Sequence, residues 1–103
     1  MSKHIKIALS GGQDLSVLDS KIKQGYEQNN KVRFIFDVTN TNMNDVGNIA
    51  KIMSMVEKYK SHEHKLECID IVCPKDHVLK RNFIKKCIKM AKVSKPVYLV
   101  EKA

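Results

Sequence analysis

The chain has 103 residues, 43% of them hydrophobic, and a formal net charge of +8. This is the composition of an ordinary globular chain with one core, not of a disordered or fibrous one, and no apolar run approaches the ~20 residues needed to span a bilayer. The charge is lopsided: residues 1–50 carry six basic and five acidic side chains, residues 51–103 thirteen and six, so the second half concentrates a positive potential that attracts anionic partners.

The N-terminal "MSKHIKIALS" lacks the apolar segment of a signal peptide. Three cysteines, Cys68, Cys73 and Cys87, are an odd number that suits reduced thiols. Both features predict a cytoplasmic protein.

In chain order, "HIKIAL" alternates as a strand and turns at Gly11-Gly12. Asp14 is placed to cap a helix whose apolar stripe is Leu15, Leu18, Ile22 and Tyr26. "VRFIF" is continuously apolar, which predicts a central strand covered on both faces. A second helix opens at Asp45 or a neighbouring Asn, with the stripe Val46, Ile49, Ile52, Met53, Val56 and Tyr59. "SHEHK" reads as a polar loop, "LECIDIVC" as a strand ended by Pro74, residues 78–93 as a third helix, and "PVYLVE" as a last strand. The order β-α-β-α-β-α-β, without linker or repeat, predicts one α/β domain over residues 1–103 with a largely parallel four-stranded sheet.

Residues 9–13, "LSGGQ", are spelled like the signature motif of cassette ATPases, and "VRFIFD" ends in an aspartate as a Walker B strand does. The chain has no Gly-x-x-x-x-Gly-Lys-Ser/Thr loop to cradle phosphates, and Val38 follows Asp37 where those enzymes place a glutamate. The "SGG" is therefore read as a strand-to-helix turn.

The stretch "VRFIFDVTNTNMNDVGNIAKIMSMVEKYK" resembles the middle of a STAS domain, the fold of bacterial anti-sigma-factor antagonists and of sulfate-transporter tails. Asp37-Val38-Thr39 stands at the family's Asp-Leu-Ser, and Asp45-Val46-Gly47-Asn48 at its Asp-Ser-Ser-Gly. The resemblance implies a non-catalytic module that binds a protein partner through Thr39, Asn40, Thr41, Asn42, Asp45 and Gly47. Gly47 stands where the family carries its phosphoacceptor serine, so the phosphorylation switch is not implied. A weaker likeness to the CRAL-TRIO lipid-binding domain rests on "IDIVCP", "IKK" and "VYLV".

Enzymatic readings find little support. His62, His64, Cys68, Cys73 and His77 lack the paired spacing of a zinc site. Cys73 with His77 lacks an orienting third group. No metal, cofactor or catalytic residue is expected.

The third helix carries the other candidate surface. At 100° per residue, Leu79, Phe83, Ile84, Cys87, Ile88, Met90 and Ala91 form one side, expected to pack on the sheet, and Arg81, Lys85, Lys86, Lys89 and Lys92 the other. Like charges at i,i+4 repel, so an anionic partner is weighed against a merely solvated face. Nucleic acid bound by this helix is the alternative to the protein-interaction module, and anionic lipid a lesser one.

Overall fold

The computed structural model describes residues 2–10, 12 and 14–102. It contains β1 (Lys3–Ala8), α1 (Leu15–Gln28), β2 (Val32–Asp37), α2 (Asn48–Lys58), a 3-10 segment (Lys60–Lys65), β3 (Leu66–Val72), α3 (Val78–Met90) and β4 (Val97–Val100). The four strands form one all-parallel sheet in the order β1-β2-β3-β4. The α/β class and element order are those read from the periodicity.

Each crossover moves one strand along in the same direction, so right-handed connections put all three helices on a single face. That face is built from two rows of register partners: Ile5, Phe34, Ile69 and Val97, then Ile7, Phe36, Ile71 and Leu99. Leu18, Ile22 and Tyr26 of α1, Ile49, Ile52, Met53 and Val56 of α2, and Ile84 of α3 close over these rows into one core. Tyr26 lies edge-on to Phe34 with ring centroids 5.2 Å apart, and its hydroxyl donates to the Val56 carbonyl at 3.2 Å.

Among the described residues the other face carries no helix, which corrects the expectation that "VRFIF" is covered on both sides. Ile35 is only 5% exposed there, set in a row between Lys6 and Asp70 rather than beneath another layer. Arg33 on the same face bonds Glu67 at 3.1 Å and approaches Asp70 at 3.7 Å. The run is continuous because a narrow sheet with polar flanks buries its middle strands even where no helix covers them.

Local boundaries follow side-chain chemistry. The Asp14 carboxylate accepts the Ser16 N–H at 2.9 Å and caps α1. Gly12 has φ +71°, the left-handed conformation that glycine adopts without strain, and it belongs to the turn between β1 and α1. Gly11 and Gln13 of the "LSGGQ" spelling lie outside the described residues. The second helix begins at Asn48, later than read, because Asn42 first holds a turn through its side chain to Asp45 N–H and its carbonyl to Val46 N–H. The third ends at Met90, not Val93: Ala91 turns extended, and the Ser94 N–H is captured by Glu57 at 2.7 Å. The segment read as a polar loop is the 3-10 turn at Lys60–Lys65. Among the described residues no helix is long and apolar enough to cross a membrane.

Candidate functional site

The loop after β2 leaves from the carboxyl ends of the strands, where parallel α/β sheets usually place ligands. Its threonine hydroxyls are already hydrogen-bonded within the protein. The Asp37 carboxylate accepts the Thr39 N–H at 2.9 Å and the Thr39 hydroxyl at 2.5 Å. The Thr41 N–H closes a turn onto the Val38 carbonyl at 3.1 Å. Thr41 is buried, and its hydroxyl donates to the Leu9 carbonyl at 3.0 Å, pinning the loop to the end of β1. Of the six loop residues singled out, Asn40, Asn42 and Gly47 are exposed, Thr39 and Asp45 are half-buried, and Thr41 faces inward.

The space between this loop and the helices is nearly filled. A gap of about 10 Å³ remains among Leu9, Val38, Thr41 and Val46, room for about one water and far below the few hundred Å³ of a small-molecule site. Cys73 at the end of β3 is fully buried, and burial pushes its thiol above the ordinary range, as it does for Cys68 and Cys87. The buried Nδ1 of His77 has no hydrogen-bond partner among the described residues. Among the described residues no three His, Cys, Asp or Glu side chains converge.

The third helix sits differently from its wheel projection. Ile84 is fully buried, and Cys87, Ile88 and Ala91 are half-buried against the core. Leu79, Phe83 and Met90 are instead 75%, 39% and 82% exposed, which corrects the expectation that the whole apolar side packs on the sheet. The apolar arc spans about 180°, wider than the strip the sheet beneath can cover. The same rotation carries Lys80 inside, where its ammonium donates to the carbonyls of Val38 at 2.9 Å and Thr39 at 3.1 Å. Lys80 sits in the middle of the apolar arc, and that position is the sequence signal that was missed.

Of the basic set, Lys85, Lys86, Lys89 and Lys92 are exposed and form no ion pair among the described residues. Arg81 is half-buried and donates to the Cys73 carbonyl, so it ties α3 to β3 instead of standing with the lysines. Beside the lysines, an open groove of about 530 Å³ runs between α2 and α3, lined by Gly47, Ala50 and Ser54 on one wall and Phe83, Cys87 and Met90 on the other. A separate, shallower depression brings Asn42 and Met43 beside Val78 and Leu79. The loop and the third helix, read separately in the sequence, thus meet where Asn42 and Met43 stand beside Val78 and Leu79. The chain matches no family model, no curated protein and no solved structure.

Proposed function

We propose that the chain is a non-catalytic, STAS-like protein-interaction module of the cytoplasm, and that its interface runs from the loop of Asn40, Asn42 and Met43 into the α2–α3 groove. The observation that carries this reading is the exposure of Leu79, Phe83 and Met90 along one line of α3. A contiguous apolar strip rimmed by polar groups on a small domain marks an interaction site. The filled strand ends and the raised thiols lend nothing to a catalytic reading. Three cysteines without disulfides suit a reducing compartment.

A second reading, a nucleic-acid-binding accessory protein, is favoured by Lys85, Lys86 and Lys89 of α3 and Lys92 just past it, exposed and without an ion pair among the described residues. Capture from a native lysate by three variants separates the two. The variants are Phe83→Ser with Met90→Ser, Asn42→Ala with Asp45→Ala, and Lys85→Glu with Lys89→Glu and Lys92→Glu. Nuclease-resistant capture lost in the first two supports the module. Nuclease-sensitive capture, lost only in the lysine variant and falling steeply with log salt, transfers the function to nucleic acid.

A further inference from the structure

The α2–α3 groove has a shape and a charge that together specify what fills it. One wall carries three small residues, Gly47, Ala50 and Ser54, at spacings of three and four, beside Met53 and Glu57, and a Cβ placed on Gly47 meets no atom within 4 Å. The other wall is the apolar line of α3. On α3 it runs from Phe83 to Met90, about 10 Å, and the facing wall from Gly47 to Glu57 runs about 15 Å at 1.5 Å per residue, about three helical turns.

Both walls are helices, which satisfy their own backbone groups and offer only side chains. An extended segment lying there would find no partners for its amides and carbonyls, whereas a helix brings its own. The surroundings are basic: Lys92, just past α3, lines the groove, and Lys51 of α2 and Lys86 and Lys89 of α3 are exposed on the helices that form its walls. The one acid lining the groove, Glu57, is already taken by the Ser94 N–H at 2.7 Å and by Lys60 at 3.0 Å. A second copy of this chain would bring the same positive rim and be repelled. A bilayer surface is too flat to reach a recessed floor, and an RNA strand finds Phe83 as the single aromatic to stack on.

We infer that the groove takes an amphipathic helix of about three turns, with apolar anchors at i, i+4, i+7 and i+11 flanked by acidic side chains. This deepens the interaction-module reading and rests on it.

The test uses the full chain and fluorescein-labelled synthetic peptides, about four turns long, with Leu at the anchor positions and Glu beside them. Otherwise identical peptides carry Gln or Lys in place of Glu. Oligouridylate and phosphatidylserine vesicles are titrated in parallel. The Glu peptide is expected to bind saturably, about tenfold tighter than the Gln peptide at low salt, with the Lys peptide unbound. Ala50→Tyr, which fills the groove from an exposed helix position, and Phe83→Ser with Met90→Ser should each weaken it about tenfold or more. Lys86→Glu with Lys89→Glu and Lys92→Glu should do the same, with the effect shrinking as salt rises.

Equal binding of the Glu and Gln peptides, lost in Ala50→Tyr, overturns the acidic specification and leaves the interaction module standing. No Glu-peptide binding by a protein with native circular dichroism overturns the inference. If oligouridylate or vesicles alone then bind, and do so through the same lysines, the module reading falls with it.

Discussion

The Nζ of Lys80 lies 2.9 Å from the Val38 carbonyl oxygen, so the first turn of α3 is tied to the loop that leaves β2. A second bond to the Thr39 carbonyl, at 3.1 Å, fixes the loop at two successive residues. Lys80 is 8% exposed and its charge is satisfied by backbone dipoles rather than by a carboxylate. The loop's course, and with it the loop end of the interaction surface, depends on this contact.

Lys80→Met keeps the length of the side chain and removes the donor. It should cost about 1–3 kcal/mol, the range for losing a charged hydrogen bond to buried carbonyls. Lys85→Met, on the exposed side of the same helix, should stay within about 0.5 kcal/mol. Urea denaturation of the two variants checks the difference, and equal midpoints would mean that Lys80 does not hold the loop.

Sequence reasoning recovered what periodicity controls. Rows such as Ile7, Phe36, Ile71 and Leu99 alternate along their strands, and Asp14 announces its cap by standing before an apolar stripe. It missed what depends on contacts between residues far apart in the chain. A wheel gives the width of the apolar arc on α3, but which part of that arc meets the sheet is fixed by Lys80 reaching carbonyls 41 and 42 residues away. The same holds for Thr41, whose hydroxyl turns inward only because the Leu9 carbonyl lies beneath it. The loop was legible as a surface, and its joining to α3 was not.

Asp19 on α1 accepts from Lys58 at 2.8 Å and from the Tyr59 hydroxyl at 2.7 Å, joining α1 to the end of α2. These bonds hold its carboxyl below the usual 3.8. A depressed carboxyl stabilises the fold fully above its unfolded value and loses that contribution as pH falls through its folded value. The stability gap between the natural chain and Asp19→Asn should therefore be constant above pH 3.8 and shrink below it. Thermal melts of both proteins across the acid range measure this, and a gap independent of pH would contradict the assignment.

Two glycines should respond in opposite ways. A Cβ on Gly25, in α1, would lie 2.5 Å from the Ile5 Cδ1 and 3.1 Å from the Phe34 ring. Gly25→Ala should therefore destabilise by about 1–3 kcal/mol of overpacking, even after the gain of up to ~1 kcal/mol in helix propensity. Gly47 has φ −60° and open space around it, so Gly47→Ala should be neutral or stabilising by up to about 1 kcal/mol. Chemical denaturation of both variants provides the comparison.

The reading of α3 as a helix with a free apolar line can be tested without any partner. Ile84 is fully buried under the helix, and truncating it to Ala removes contacts on every side, at a cost of about 2–5 kcal/mol. Leu79 and Met90 are as apolar but mostly in solvent. Leu79→Ser and Met90→Ser should each change stability by no more than about 0.5 kcal/mol, because little buried area is lost. Their Ser variants should also retain the natural chain's denaturant dependence, since the surface exposed on unfolding changes little. A loss of several kcal/mol in either Ser variant would place these side chains in the core, close the groove between α2 and α3, and remove the ground for a partner there.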